Sequence, residues 1–370
     1  MPRFRPRLEG LETCAHGGPD RGELEALGIS LEDVADFSVN CNPFGPPPVV
    51  LPAAERANWE RLPDSNANAL RRSLSQLLGV DPACVVAGSG SVELIRFLAL
   101  ACFGPGDTVI VPQPTFGEYE ISLRIAGATV LAPRDPGPEG LDVSVEFLVR
   151  LLRDSGGARK RRGLFLCNPN NPTGTYLTCE EVKRLLDALP DGLVILDEAY
   201  LPFVDEAWRS LDLLDRGNLV VLRSMTKDYA LGGLRLGYAV GPEPLMEVLR
   251  RALPPWNVNA VAQEAGLLAL QDPEYPARCR PAITESRDYL MAELTALGLR
   301  VLPSRTNYFL VEVEGAPGFR RDLLREGFLV RDCTSFGLPA HIRISARTLP
   351  ESRRLIEAAG RLLALREVRH

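Results

Sequence analysis

Short runs of apolar residues alternate with amphipathic stretches over the first two thirds of the chain. The runs that have the length and composition of buried strands lie at 108–112, 163–167, 193–200 and 218–224. Between two of them, the apolar positions of residues 179–189 recur every three or four residues, which is the spacing of one helix face. Alternating strands and helices predict an α/β domain with a mainly parallel sheet.

The pattern changes after about residue 250. Long helical stretches and then shorter strand-like runs follow at 259–271, 276–298, 307–313, 327–332 and 341–346. This order predicts a second, smaller α+β domain. The first residues are rich in glycine and proline turns, which are typical of an extended arm. The predicted units are an N-terminal arm at 1–45, a large domain at 46–250 and a small C-terminal domain at 251–370.

Composition favours small-molecule chemistry over a large anionic partner. The 370 residues are 45% hydrophobic and 24% charged, with 42 basic and 48 acidic side chains and a formal charge of -6. An acidic balance disfavours nucleic acid or an anionic membrane as the partner. No apolar run reaches the ~18 residues of a membrane span, and the N-terminus lacks the apolar run of a secretory signal, so we expect a cytoplasmic protein.

Cysteine and histidine supply little material for metal or histidine chemistry. Eight cysteines are scattered without a C-x-x-C pair, so we expect free thiols and no metal site. The three histidines are His16, His341 and His370. Catalytic groups must therefore be sought among lysine, aspartate and arginine.

Candidate ligand-binding motifs follow the predicted strands, at the edge where open α/β sheets bind ligands. Residues 88–95, GSGSVELI, lead into a helix, where the amides of Ser91 and Val92 could hold a phosphate. Taken alone, such a turn is more often a loop with an N-cap. Phe116 and Tyr119 follow the next strand, where an aromatic face could stack on a flat ring, although a single aromatic is more often part of the core.

Two charged side chains stand out among apolar neighbours. Asp197 ends a strand of otherwise apolar residues, and a buried carboxylate needs a partner cation such as a protonated ring nitrogen. Lys227 lies among apolar and small residues, where a lysine can become a nucleophile towards an aldehyde. The stretch NPNNPTG at 168–174 precedes both, and in isolation its simplest interpretation is a structural loop.

Taken together, the motifs NNPTG, DEAY, S-x-T-K and G-L-R-L-G carry a resemblance. The chain resembles the aspartate aminotransferase superfamily, the fold type I pyridoxal 5′-phosphate (PLP) enzymes, over nearly its full length. The resemblance implies the α/β fold of PLP-dependent transferases of fold type I. Its large domain has a mainly parallel seven-stranded sheet flanked by helices, and a smaller α+β C-terminal domain follows.

The resemblance also implies a catalytic set and a cofactor site. Lys227 would form the Schiff base with PLP, Asp197 would bind the ring nitrogen, and Tyr200 with Asn171 would bind the phenolic oxygen. Phe116 would cover the ring. The groups implied for the cofactor phosphate are Gly90, Ser91, Val92, Ser224 and Arg235.

Four further residues are expected to bind substrate. Arg343 matches the late arginine that binds the substrate carboxylate in such enzymes, and a guanidinium suits bidentate binding. Arg331, one strand earlier, could bind a second anion or form a surface ion pair. His16, in an HGG segment, would help to receive a substrate phosphate, or would have no role in a flexible arm. Asn42 is assigned to substrate binding from its place in DFSVNCNPFG.

Within the superfamily the chain particularly resembles threonine-phosphate decarboxylases and histidinol-phosphate aminotransferases. The HGG segment, DFSVNCNPFG and the region around Trp256 are similar to the decarboxylases, whereas GSGSVELI and RDCTSFGLPAHIRIS are similar to the aminotransferases. We expect decarboxylation of L-threonine O-3-phosphate to (R)-1-amino-2-propanol O-2-phosphate, as in cobalamin biosynthesis. The alternative is transamination of histidinol phosphate with 2-oxoglutarate, as in histidine biosynthesis.

Two other expectations concern activity and assembly. A catalytically silent PLP-binding regulator is a different class of function, and the complete set of catalytic residues argues against it. The resemblance also implies a homodimer with active sites near the interface. Leu62 stands where these families usually carry a tyrosine that reaches the partner's cofactor phosphate, so that contact is missing from the expected set.

Overall fold

The computed structural model describes residues 8–11, 13–134, 141, 144–154 and 161–367. Its helices are α1 (Arg21–Leu27), α2 (Ala53–Arg56), α3 (Asn68–Leu78), α4 (Ser91–Cys102), α5 (Glu118–Ala126), α6 (Val145–Asp154), α7 (Cys179–Asp187), α8 (Glu243–Ala252), α9 (Ala260–Ala269), α10 (Tyr275–Ala296), α11 (Ala316–Arg325) and α12 (Leu349–Glu367). Within these ranges no helix combines the length and the apolar character that crossing a membrane requires.

The strands of the described ranges belong to three sheets. They are β1 (Ala35–Asp36), β2 (Val85–Gly88), β3 (Thr108–Ile110), β4 (Thr129–Leu131), β5 (Arg162–Cys167), β6 (Leu193–Asp197), β7 (Leu219–Ser224), β8 (Gly237–Val240), β9 (Arg300–Val301), β10 (Tyr308–Glu312), β11 (Phe328–Leu329), β12 (Arg331–Asp332) and β13 (His341–Ser345).

A seven-stranded sheet in the order β2-β8-β7-β6-β5-β3-β4 forms the centre of the large unit. Strands β3 to β7 pair in parallel, and β8 is antiparallel to both of its neighbours. Helices pack on both faces, so β5 is buried from Gly163 to Cys167 and reads as a continuous apolar run. The predicted mainly parallel seven-stranded sheet is confirmed.

Local sequence explains where the covering helices begin. In α7, the Thr178 side chain accepts a hydrogen bond from the Glu181 amide, and the Glu181 carboxylate accepts one from the Thr178 amide. This reciprocal capping satisfies amides that would otherwise lack partners at the helix start. The buried face of α7 then consists of Val182, Leu185 and Leu186, which fixes it against the sheet.

A four-stranded antiparallel sheet, β12-β13-β10-β9, forms the centre of the small unit. Its core includes Phe309 and Ile342 from the sheet, Leu290 from α10 and Phe319 from α11. The predicted strands after residue 300 are therefore present. Their antiparallel pairing brings β12 and β13 side by side, with β12 at one edge of the sheet.

The packing differs from the predicted boundaries at two places. Strand β1 pairs in parallel with β11, and Phe37 is fully buried in the small core, so this part of the predicted arm is integral to the small unit. Helix α9 buries Ala262 and Ala265 in the large core, although it lies beyond residue 251. An apolar helix face predicts burial without specifying the core that receives it. We propose that the small unit comprises α1 to Phe37 and the chain from within α10 onward.

Candidate active site

A cavity of about 610 Å³ opens where the carboxyl ends of the parallel strands face the small sheet. Ligands of open α/β sheets bind at this edge. The structure brings most of the sequence-predicted site residues to its wall. Those that line it are His16, Ser91, Val92, Phe116, Asn171, Asp197, Tyr200, Lys227, Arg235, Arg331 and Arg343.

Lys227 is the lysine that lines the cavity. The chain contains three lysines, and Lys183 lies on α7 near Glu180 while Lys160 is outside the described residues. The Lys227 Nζ lies 3.8 Å from the Cys41 sulfur and 5.9 Å from the centre of the Tyr200 ring. A primary amine in this position could react with an aldehyde bound in the cavity.

Asn42 supports the lysine loop instead of lining the cavity. Its backbone amide donates to the Lys227 carbonyl at 2.8 Å, and its side-chain nitrogen donates to the Asp228 carbonyl at 3.0 Å. Its side-chain oxygen accepts from the Phe44 amide at 3.0 Å. Both ends of the amide group are therefore engaged within the protein, which favours a positioning role, and the assignment of Asn42 to substrate binding stays a prediction.

Asp197 presents a buried carboxylate to the cavity without an ion-pair partner among the described residues. It ends β6, is 3% exposed, and accepts hydrogen bonds from the Tyr119 hydroxyl at 2.8 Å and the Ala199 amide at 3.0 Å. Burial raises the pKa of Asp197 to about 6, although these two hydrogen bonds and the Lys227 charge act in the opposite direction. A bound cation such as a protonated ring nitrogen would supply the missing partner.

An anion cradle lies at the start of α4. The first helical residues Ser91 and Val92 line the cavity, where backbone amides and the helix dipole favour negative charge. Gly90 has φ +77°, and a Cβ there would lie 2.7 Å from an Arg235 guanidinium nitrogen. The glycine thus lets a guanidinium approach the helix terminus. The Ser89 amide, just before the helix, donates to the Glu93 carboxylate at 2.7 Å and is therefore already satisfied within the protein.

Ser224 lies behind the cavity wall. Its hydroxyl is buried and hydrogen-bonded to the Thr226 hydroxyl at 2.6 Å, and Thr226 is the member of this pair that lines the cavity. Ser224 is the last residue of β7 and Thr226 follows two positions later, so the motif S-x-T-K predicts their proximity but not which hydroxyl faces the cavity.

Aromatic and amide groups surround the space between Lys227 and Asp197. Phe116 lines the cavity and meets Tyr119 edge to face, with 5.6 Å between ring centres. Tyr200 is buried, and burial raises the pKa of its hydroxyl. A flat ring could stack on the Phe116 face, with Tyr200 near its edge.

Asn40 is a wall residue that the sequence interpretation missed. Its side chain lies beside the Tyr200 hydroxyl, and neither amide atom has a hydrogen-bond partner of ordinary geometry within the described ranges. Buried polar groups left without partners are uncommon and often indicate a ligand. The sequence signal for Asn40 is its place in DFSVNCNPFG, the same stretch from which Asn42 was predicted.

Two arginines from the small sheet complete the wall. Arg343 is 4% exposed, donates to the Asn171 side-chain oxygen and to the Ser38 carbonyl, and has a buried Nε without a partner among the described residues. Arg331 donates to the Ala15 carbonyl at 2.9 Å and to Ser335 at 2.7 Å. Burial, followed by the Arg343 charge, lowers the pKa of Arg331. Two such cations favour an anionic ligand.

His16 lies at the mouth of the cavity. Its Nε2 is 3.3 Å from a carboxylate oxygen of Glu118, whose other oxygen accepts from Arg96 at 2.9 Å. The His16 and Phe116 ring centres are 5.9 Å apart. The HGG segment therefore reaches the cavity, whereas Leu62 is 70% exposed and does not line it.

The cavity as a whole fits PLP. It offers one amine for the aldehyde, one buried carboxylate for the ring nitrogen, an aromatic face for the ring and a helix start with a guanidinium for the phosphate. The uncompensated Asp197 and the Gly90 cradle are features of the protein itself, and a phosphorylated pyridine aldehyde would satisfy both.

Comparison with known proteins gives a matching family model and several full-length likenesses. The model described as aminotransferase class I and II matches residues 32–359. The histidinol-phosphate aminotransferase of Anaeromyxobacter sp. (strain Fw109-5) is 36% identical over 98% of this chain and 100% of its own length. The L-threonine-O-3-phosphate decarboxylase structure from Porphyromonas gingivalis is 28% identical, with a TM-score of 0.78 over 89% of this chain and 99% of that one.

A third similar protein, a solved structure, is informative about the fold alone. The histidinol-phosphate aminotransferase of Sinorhizobium meliloti, solved in complex with pyridoxal-5′-phosphate, superposes with a TM-score of 0.84. The alignment covers 98% of both chains at 23% identity. The arrangement of the two units is therefore similar over essentially the whole chain.

Proposed function

The chain belongs to the aminotransferase class I and II family, and we propose that it transfers the amino group of L-histidinol phosphate to 2-oxoglutarate. Its cofactor is pyridoxal 5′-phosphate. When bound, that cofactor supplies an electron sink for the bond that breaks at the substrate Cα. A curated relative that is 36% identical over nearly the full length carries this activity in its name, which supports the proposal.

The residues that line the cavity would hold the cofactor and move the proton. Lys227 would hold the cofactor aldehyde covalently and, when released, would move a proton at the substrate Cα. Asp197 would keep a proton on the ring nitrogen, and Tyr200 with Asn171 would bind the phenolic oxygen. The α4 start with Arg235 would bind the cofactor phosphate.

The observation that carries the proposal is the pair Arg331 and Arg343 on one wall of the cavity. Histidinol phosphate brings a phosphate and no carboxylate, whereas 2-oxoglutarate brings two carboxylates. Two adjacent guanidinium groups could bind the phosphate in one half-reaction and the carboxylates in the other. The same cations can thus serve two chemically different substrates in turn.

Decarboxylation of L-threonine O-3-phosphate, the first expectation from the sequence motifs, is the second candidate. The HGG segment at the cavity and the likeness to the Porphyromonas gingivalis decarboxylase favour it. The higher identity to a named histidinol-phosphate aminotransferase ranks transamination above it. The contact of His16 with Glu118 also leaves that histidine engaged before any substrate arrives.

Two parallel assays of the PLP-loaded protein separate the candidates. Transamination predicts glutamate formation from L-histidinol phosphate that depends on 2-oxoglutarate, with no CO2 from L-threonine O-3-phosphate. Release of CO2 from threonine phosphate without an oxo acid, and no glutamate from histidinol phosphate, would reverse the ranking. Lys227→Ala serves as the inactive control in both assays.

We also propose that the protein assembles as a homodimer. Leu51, Trp59 and Leu62 are 72%, 76% and 70% exposed within one short stretch of chain. Large apolar side chains exposed together are typical of protein interfaces. In a two-fold dimer Leu62 would contribute packing where related enzymes use a tyrosine hydroxyl.

A further inference from the structure

A sulfur, a nitrogen and an oxygen donor meet at the mouth of the cavity. The Cys14 sulfur, a His16 ring nitrogen and a Glu118 carboxylate oxygen all lie within 4.8 Å of one another. Cys14 and His16 are two residues apart in a segment without regular secondary structure, and Glu118 is the first residue of α5. We propose that these three side chains form a binding site for a divalent transition-metal ion, with Zn²⁺ as the preferred occupant.

The spacing of the donors suits a tetrahedral ion. The His16 Nε2 and the nearer Glu118 oxygen are 3.3 Å apart. Two ligands bound to Zn²⁺ at about 2.05 Å would be separated by roughly 3.3 Å, and a thiolate at about 2.3 Å would lie roughly 3.6 Å from either. The nitrogen and oxygen therefore need no displacement. The sulfur, which lies within 4.8 Å of both, would have to move by up to about 1.2 Å to reach this separation.

The chemistry of the donors selects the kind of ion. A thiolate and an imidazole favour Zn²⁺ and similar transition metals, whereas Mg²⁺ and Ca²⁺ require oxygen ligands. Three protein ligands leave the fourth tetrahedral position open for water or an anionic oxygen. Because His16 lines the cavity, that ion would lie at the edge of the substrate space.

Neighbouring residues already hold the donors in place. Arg96 donates to one Glu118 oxygen at 2.9 Å and leaves the other turned towards His16. The Glu118 side chain is 8% exposed, so its orientation is fixed by packing. A Cβ at Gly117 would lie 2.9 Å from the Cys14 sulfur, so glycine at this position allows the sulfur to reach the start of α5. Such supporting contacts orient the ligands of metal sites.

Metal binding would change the cavity. The ion would tie residues 14–16 to α5 and engage the imidazole of His16. This consequence rests on the proposed function, because it predicts that Zn²⁺ raises KM for the phosphorylated substrate. The existence of the site does not rest on it, since ion binding is measurable without substrate.

Calorimetric titration of the chelator-treated, PLP-loaded protein with Zn²⁺ tests the site. We expect one ion per chain in the wild type, at least about ten-fold weaker binding in Cys14→Ser and in Glu118→Gln, and unchanged binding in Cys179→Ser. Cys179 is also half-buried, which makes it a matched thiol control. Co²⁺ should give a thiolate charge-transfer absorption that Cys14→Ser abolishes.

Equal affinity in the wild type and Cys14→Ser, or loss of binding in Cys179→Ser, would overturn the proposal. So would the absence of stoichiometric binding in wild-type protein. The visible absorbance of the bound cofactor and the thermal unfolding of each variant are recorded alongside, and Cys14→Ala provides a second substitution at the sulfur. A failure confined to the KM effect would instead count against the substrate role of His16.

Discussion

Arg331 and Arg343 are directly opposite one another in the antiparallel pair of β12 and β13. Opposed residues of neighbouring strands project from the same face, and both side chains line the cavity. Neither guanidinium has an ion-pair partner within the described parts of the chain. Two like charges in this arrangement disfavour each other, so an anion that binds between them gains electrostatic free energy that a single exposed arginine would not supply.

Replacing these arginines with lysine should separate their roles. Arg343→Lys keeps the charge but loses the planar fork that holds Asn171 and Ser38, and we expect kcat/KM to fall about a hundred-fold or more. Arg331→Lys, at a more exposed position, should lower kcat/KM about ten-fold. Steady-state kinetics with varied 2-oxoglutarate and varied histidinol phosphate measure both effects. The matched control is Arg347→Lys, which pairs with Glu351 outside the cavity and should remain near wild type.

If Arg347→Lys lowered kcat/KM as much as Arg343→Lys does, the loss would reflect a structural change and not the loss of anion binding. A kcat/KM for Arg343→Lys within a few-fold of wild type would refute the role of Arg343 as an anion-binding group. Cofactor loading should be unchanged in Arg331→Lys, because its guanidinium contacts are Ser335, in the turn after β12, and the Ala15 carbonyl of the N-terminal segment.

Lys227→Ala should abolish covalent attachment of PLP. A single primary amine lines the described cavity wall, so no neighbouring group can replace it. Borohydride treatment followed by peptide mass spectrometry should label Lys227 in wild type and nothing in the variant. Lys183→Ala, on the surface of α7, is the matched control, and its Lys227 should be labelled as in the wild type. Reduced cofactor on any other lysine would falsify the assignment.

Asp197→Asn should retain PLP but lose most of its turnover. An amide cannot keep a proton on the ring nitrogen, so we expect kcat to fall about a hundred-fold or more while KM changes little. A variant whose kcat remains within a few-fold of the wild-type value would contradict this role. The measurement requires protein whose cofactor content has been checked by its visible absorbance.

The same substitution should stabilise the cofactor-free protein above pH 6. Burial raises the pKa of Asp197 from 3.8 to about 6, so between these values the folded state binds its proton more tightly than the unfolded state does. The contribution of Asp197 to stability therefore falls as pH rises through that window. We expect the unfolding free energy of Asp197→Asn to exceed that of wild type by at most roughly 3 kcal/mol at pH 7.5, and by less near pH 4.

Thermal or denaturant unfolding of both cofactor-free proteins at the two pH values tests this linkage. Other groups titrate in the same range, but they are common to both proteins and cancel in the difference. A difference that grows as pH falls would show that the carboxyl proton is bound less tightly in the folded state.

Leu62→Glu should weaken the proposed dimer. A charge placed in an apolar interface loses hydration without gaining a partner, and we expect at least about ten-fold weaker association by sedimentation equilibrium. Leu365→Glu alters another exposed leucine, on α12, and should associate normally. An active, PLP-loaded wild-type monomer would rule out the proposed assembly.

The positions of the strands along the chain and the polar groups at their ends were predictable because both are local in sequence, whereas the order of the strands in the sheet was not. Asp197 and Lys227 each interrupt an apolar context, and the parallel sheet brings their strand ends together. The separate places of Asn40 and Asn42 were not predictable, because two asparagines two residues apart look equivalent until one is seen to hold the Lys227 loop. The contact of Glu118 with His16 could not be predicted from the sequence, since it joins positions about a hundred residues apart that no periodic pattern links.

The pairing of β1 with β11 has a consequence for synthesis on the ribosome. Ala35 leaves the exit tunnel early, yet its partner Phe328 is translated about 290 residues later. At about 5–20 residues per second, this strand waits on the order of 15–60 seconds before its partner exists. Phe37 must remain unburied for that interval, whereas β2 to β8 can form their sheet meanwhile. Nascent chains stalled before residue 328 should therefore depend most on chaperones that bind the first forty residues.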